Sequence, residues 1–239
     1  MNEQGSIGWL LDRAGTLSAS LFGAALGLAP YCSRQKLWRQ LTGLETRDVF
    51  GPAVDWGRDH EPDAVLRYEI EAGVIVASVG SVPHPEHAWL SASPDGLVGD
   101  IGGIEAKCPF LVDGKTWPER MHETPPQHYL AQVHGVIQCC GLEWVDYLCW
   151  TPIRFRAWRV MRDEEIWGEI IFPKLKAFWD AVQTKADPGR MKKADKVIIP
   201  YSSAPWIDVE YEEVINPDPC AGTPFSDEAL AAKEAKWQD

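Results

Sequence analysis

No apolar run in the chain approaches the ~20 residues that a membrane-spanning helix needs. The stretch at 17–29 is too short, and Asp12 and Arg13 precede it where a secretory leader would carry a basic region. A cytoplasmic protein is the expectation. Metal-binding cysteine spacing is missing too. Cys32, Cys108, Cys139, Cys140, Cys149 and Cys220 include no Cys-x-x-Cys pair, which excludes zinc ribbons and argues against a four-cysteine iron–sulfur site. Positive charge is scarce: 23 Lys and Arg face 35 Asp and Glu, for a net charge of −12. That balance excludes a protein that coats nucleic acid by overall charge, although local basic patches remain compatible with DNA contact. Residues 208–239 hold nine acidic side chains against two lysines, so the tail carries more than half of the excess.

What is present reads as one large α/β domain. At 239 residues the chain is long enough to bury a sizeable core, and most of its 12 tryptophans sit among apolar neighbours. Helices are expected at 17–28, 34–41, 52–71, 126–140 and 163–185. The last two rest on Gly141 as a left-handed stop and on Ile166, Ile170, Leu175, Phe178 and Val182 at helical spacing. β-Branched and alternating segments predict strands at 74–79, 88–92, 104–108, 145–150 and 155–162. After Pro188 the chain turns rich in Pro, Asp and Glu, and a short helix is expected from Ser226. The organisation expected is a body at 1–187 and an acidic extension at 188–239, packed on the body or on a neighbouring subunit.

The sharpest signal is Ser93-Pro94-Asp95-Gly96 followed by Glu105-Ala106-Lys107. On a strand, Glu105 and Lys107 share one face and Ala106 points to the other. The Pro-Asp-Gly turn sets Asp95 at the start of the preceding strand, near that face. Two carboxylates and an ammonium suit metal-assisted phosphodiester hydrolysis. Hard oxygens hold magnesium or manganese, and a lysine holds or deprotonates water or stabilises developing charge. The same residues also fit a polar hairpin with a surface ion pair.

The flanks carry more. The run SASPDGLVGDIGGIEAKCPF resembles the core of the lambda exonuclease/YqaJ-type viral recombinase (alkaline exonuclease) family, a branch of the PD-(D/E)xK nucleases. Glu3-Gln4-Gly5 with Trp9, Arg13-Ala14-Gly15 and Ser18-Ala19-Ser20 resemble its N-terminal start. Trp56-Gly57-Arg58-Asp59-His60-Glu61 resembles its acidic helix, and Ala131-Gln132-Val133 its glutamine helix. The resemblance covers about 3–182.

It implies a restriction-endonuclease-like α/β fold, a central mixed sheet flanked by helices. It also implies a magnesium-dependent exodeoxyribonuclease that digests one strand of duplex ends 5′ to 3′ and leaves 3′ overhangs for recombination. Asp95, Glu105 and the Ala106 carbonyl would hold metal, Lys107 would activate or orient water, and Glu61 and Gln132 would support them. Trp9, Arg13 and Ser20 would hold the 5′ phosphate. A homotrimeric ring, a single-strand annealing partner and a phage or prophage origin in a bacterial host are further implications. Two departures stand out: His134 replaces the family's second glutamine, and Asp113 stands where an arginine is usual, with Lys115 two residues away. A same-fold endonuclease and a non-catalytic DNA-end-binding subunit remain alternatives at this point.

Overall fold

The computed structural model describes residues 15–46, 51–111, 114–190 and 197–211. Trp9, Arg13, Asp113, Cys220 and the helix expected from Ser226 lie outside them. Two sheets are present among the described residues. The smaller orders β1 (Leu17–Ser18), β3 (Leu90–Ala92) and β2 (Val82–Pro83), with β3 central, parallel to β1 and antiparallel to β2. The larger runs β4 (Gly96–Val98), β5 (Gly102–Lys107), β6 (Trp144–Thr151), β7 (Arg154–Met161) and β8 (Ile207–Glu210). Only its β5–β6 pair is parallel, so the sheet is mixed, as expected.

Strand alternation sorts the core into two layers. Leu148 of β6 and Phe155 and Ala157 of β7 face helix α3 (Pro52–Ala72), meeting its Ala64 and Tyr68. Ile104 and Ala106 of β5 join them. Val145, Tyr147 and Cys149, with Trp158 and Val160, face the other way, toward α5 (Gln127–Cys140) and α6 (Phe172–Gln183). Trp158, Tyr147, Phe155 and Phe178 are all fully buried, each contributing roughly 1.5–3 kcal/mol or more of apolar transfer free energy. On the α3 side Asp146 is also fully buried, yet satisfied: Tyr68 Oη donates to it at 2.7 Å and Arg159 grips both oxygens at 2.9 and 2.8 Å.

Helix α5 is buried from Leu130 through Cys139, because the sheet covers one side and the N-terminal unit the other. That unit comprises a 3₁₀ turn (Ala19–Leu21) and α1 (Phe22–Ala25). It approaches so closely that a Cβ at Gly135 would stand 2.5 Å from the Phe22 ring. Glycine is required there for contact, and the contact fixes Ser20 relative to α5.

Several expectations are corrected. Residues 17–28 form a two-residue strand, a 3₁₀ turn and one helical turn instead of a single helix, because β1 is captured by β3. The strand expected at 74–79 is reduced to one bridge, Ala77 to Leu97: β4 ends after three residues, and Ile75 is 85% exposed, with nothing to bury it. The helix at 163–185 carries a π segment at Ile166–Ile171 just before Pro173, whose missing N–H cannot complete an α-helical bond. Helices 34–41, α3 and α5, and strands β5 to β7, lie within two residues of expectation. Among the described residues no helix is long and apolar enough to cross a membrane.

Candidate active site

β5 is parallel to β6 from Gly102 to Lys107, and its register turns Glu105 toward α5 while Ile104 and Ala106 pack under α3. On α5, Tyr129 and Gln132 are three residues apart and share a face. The two elements therefore meet at Glu105, which is 1% exposed. Its Oε1 accepts a hydrogen bond from Gln132 Nε2 at 2.5 Å and another from the Lys107 ammonium. A carboxylate only accepts, which fixes the Gln132 amide with its nitrogen toward Glu105. Asp95 is locked from the neighbouring hairpin strand: its Oδ2 accepts from Ala106 N–H at 2.7 Å, and its own N–H donates to Ile104 at 3.2 Å.

These side chains open into one cleft of about 350 Å³. Of the residues expected from the sequence, Glu61, Asp95, Glu105, Ala106, Lys107, Gln132 and Ser20 all line it. Trp9 and Arg13 lie outside the described residues. His134 does not reach the cleft. It is 2% exposed inside α5, and burial lowers its pKa to about 4, so the residue in place of the family's second glutamine takes no part in the cleft. Lys115 is exposed and also absent from the lining.

The electrostatics are those of crowded negative charge. Burial first, then Asp95, raises Glu61 to about 7, with Lys107 pulling the other way. Glu105 is raised by the same causes in the same order, against Lys107 and its hydrogen bond. Burial opposes the Lys107 charge, but Glu105, Asp95 and Tyr129 more than offset it, and the ammonium stays protonated. Among the described residues three carboxylates meet one ammonium at this cluster, with the Arg120 guanidinium further along the cleft wall. Glu105 Oε2 is buried with no hydrogen-bond partner. Hard oxygen donors, an orphaned carboxylate oxygen and raised carboxyl pKa values fit a divalent cation such as magnesium. Among the described residues no three His, Cys, Asp or Glu side chains are grouped so as to hold a metal ion by themselves. The protein would supply part of the shell, leaving the rest to water and phosphate oxygens, as magnesium prefers.

Four further lining residues escaped the sequence reading: Ser93, Arg120, His122 and Tyr129. Tyr129 was findable from its spacing to Gln132; its ring lies 5.0 Å from Lys107 Nζ. His122 bonds Tyr147 Oη through Nδ1 at 2.7 Å, and its pKa is lowered to about 4, chiefly by burial. Nothing local in the sequence marks Arg120 or His122, which follow Trp117, the residue that anchors α4 (Trp117–Arg120) by stacking on Trp56 at 5.3 Å.

Comparison with known proteins agrees with this geometry. A family model described as "YqaJ-like viral recombinase domain" matches residues 8–143, more than half of the chain. The alkaline exonuclease LHK-Exo from Laribacter hongkongensis, solved alone and in complex with dAMP, superimposes with a TM-score of 0.64 at 30% identity, covering 76% of this chain and 94% of that one. A phage related exonuclease from Haemophilus somnus 129PT shares the fold, with a TM-score of 0.53 at 13% identity over 72% of this chain and 93% of that one. The Acanthamoeba polyphaga mimivirus protein R354, described as uncharacterized, is 23% identical over 167 residues; these are 65% of this chain but only 30% of that relative's length. A family model over most of the body, and a fold shared almost end to end with an exonuclease at 30% identity, carry one conclusion: this chain belongs to the YqaJ-like viral recombinase family.

Proposed function

We propose that the protein is a magnesium-dependent exodeoxyribonuclease that digests one strand of duplex DNA ends 5′ to 3′ and leaves 3′ single-stranded overhangs for recombination. The observation that carries this reading is the Glu105–Lys107–Gln132 cluster, joined in one cleft by Asp95 and Glu61. The similarity to the alkaline exonuclease LHK-Exo at 30% identity supports it.

Asp95 and Glu105, with the Ala106 carbonyl, would hold the ion, manganese serving as a substitute, and Glu61 would support them from the same cleft. When bound, the ion would lower the pKa of a water and offset charge on the phosphate. In the step, the water oxygen bonds to phosphorus and gives up one proton to solvent, the bond from phosphorus to the 3′ oxygen breaks, and that oxygen takes a proton and leaves as the 3′ hydroxyl. Lys107 is held as an ammonium, which suits donation to an oxygen gaining negative charge better than removal of a proton. Gln132 anchors Glu105 through its nitrogen and keeps a carbonyl oxygen to orient water without titrating. Ser20, with Arg13 and Trp9, would receive the 5′ phosphate.

The family resemblance further supports a ring-shaped homotrimer, a single-strand annealing partner and action in the cytoplasm of a bacterial host. Exposed Leu66 and Ile70 on α3 offer apolar area for subunit contact. End-labelled duplexes test the polarity: label at the 5′ end should leave as mononucleotide before label at the 3′ end, and a closed circle should survive. Cutting of the circle would make the protein an endonuclease.

A further inference from the structure

Among the described residues, two permanent cations line the cleft, Lys107 and Arg120. Lys107 is committed to Glu105. The Arg120 guanidinium is not committed: no ion pair or side-chain hydrogen bond joins it to another described residue, and its Nε is buried without a partner. A guanidinium keeps its charge and presents five donors, and a buried donor left unmade is costly. An uncommitted fork at the wall of an acidic cleft is the complement of an anion that enters that cleft.

The position is also rigid. Thr116 and Glu119 close a capping box at the start of α4, with Thr116 N–H and Oγ1 donating to Glu119 Oε2 at 2.7 and 2.8 Å. Trp117 stacks on Trp56 of α3, the helix that carries Glu61. On the other side, His122 N–H donates to Cys149 Sγ at 3.5 Å, and its carbonyl accepts from Arg156 at 2.9 Å. Arg120 is thus pinned by anchored neighbours on both sides, beside Tyr129, whose ring also meets Lys107. His122, buried and neutral, adds no competing charge.

We propose that Arg120 is a phosphate-binding residue of the cleft, its guanidinium holding a phosphate of the DNA strand beside the Glu105–Lys107 centre. This rests on the nuclease reading above. It also assigns the guanidinium that the sequence places neither at Asp113 nor at Lys115. A planar fork matches phosphate oxygens in pairs, which a flexible surface lysine does not.

The test is binding of a fluorescent blunt duplex in EDTA, with 5′-phosphate or 5′-hydroxyl ends, across a salt series. Wild type is compared with Arg120→Gln, Arg120→Lys and the surface control Lys115→Gln, each checked for an unchanged melting temperature. Arg120→Gln should weaken binding about tenfold or more and lower the slope of log affinity against log salt by about 0.9, one phosphate contact. Arg120→Lys should keep most of the slope yet bind more weakly than wild type, and Lys115→Gln should match wild type. Loss confined to phosphorylated ends assigns the terminal phosphate; equal loss on both assigns an internal one. An Arg120→Gln protein with wild-type affinity, or with weaker binding and an unchanged slope, overturns the proposal. Because this readout needs no cleavage, a wild type that binds DNA but never cuts it sinks the nuclease reading alone.

Discussion

Magnesium should stabilise this fold, and the stabilisation should shrink as pH falls from 8 to 6. Glu61, raised to about 7, is the group to follow. Without an ion, a carboxyl whose folded pKa lies above its unfolded value of 4.5 binds more protons in the folded state across the window between them. Its contribution is therefore fully present below pH 4.5 and lost as pH rises through 7. An ion reverses that trend, because a proton on Glu61 removes negative charge that draws the ion to the cleft. With a pKa of about 7, Glu61 is about one-tenth ionised at pH 6 and nine-tenths at pH 8. Ion affinity should then drop about tenfold over that interval through Glu61 alone, with Glu105 shifting it the same way. At fixed saturating magnesium that is about 1.4 kcal/mol less stabilisation at pH 6. For a chain of this size the difference is roughly 3–6 °C in the magnesium-induced rise of the melting temperature. Differential scanning fluorimetry with magnesium against EDTA at both pH values reads it directly. In Glu61→Gln the rise should be smaller and its pH dependence reduced to the part that Glu105 carries. Equal rises in wild type at both pH values, or an unaltered pH trend in Glu61→Gln, would refute the reasoning.

Three other perturbations test separate links. Tyr68→Phe removes one hydrogen bond to the fully buried Asp146 carboxylate and should cost about 1.5–3 kcal/mol in urea denaturation, with no change in cleavage rate per folded molecule. Gly135→Ala drives a methyl into the Phe22 ring and should cost about 1–3 kcal/mol; because that contact seats Ser20, DNA-end affinity should fall as well. Gln132→Leu keeps volume but leaves Glu105 Oε1 with Lys107 alone, and should lower kcat at least tenfold while KM for DNA changes less.

The hairpin that carries Asp95, Glu105 and Lys107 was legible because its information is local. Period-two alternation put Glu105 and Lys107 on one face, and a Pro-Asp-Gly turn returned Asp95 to them. Gln132 and Glu61 came from ordered motifs, and the cleft gathers them. What could not be read was set by tertiary contact. Nothing in 17–28 says that two of its residues are captured by β3. His134 looks like a polar helix position until tertiary packing buries it. Arg120 carries no motif; it follows Trp117, which stacks on a tryptophan far from it in sequence. The π segment had a signal in Pro173, which helical periodicity alone passes over.

The central claim is that the Glu105–Lys107–Gln132 cluster, with Asp95 and Glu61, hydrolyses DNA with a divalent ion. The most direct measurement is release of mononucleotides from a linear duplex by wild type and Lys107→Ala, each with magnesium and with EDTA. The account predicts release by wild type with magnesium only, and a loss of at least a hundredfold in Lys107→Ala that still binds DNA. Release that survives EDTA, or a Lys107→Ala protein as active as wild type, would contradict it.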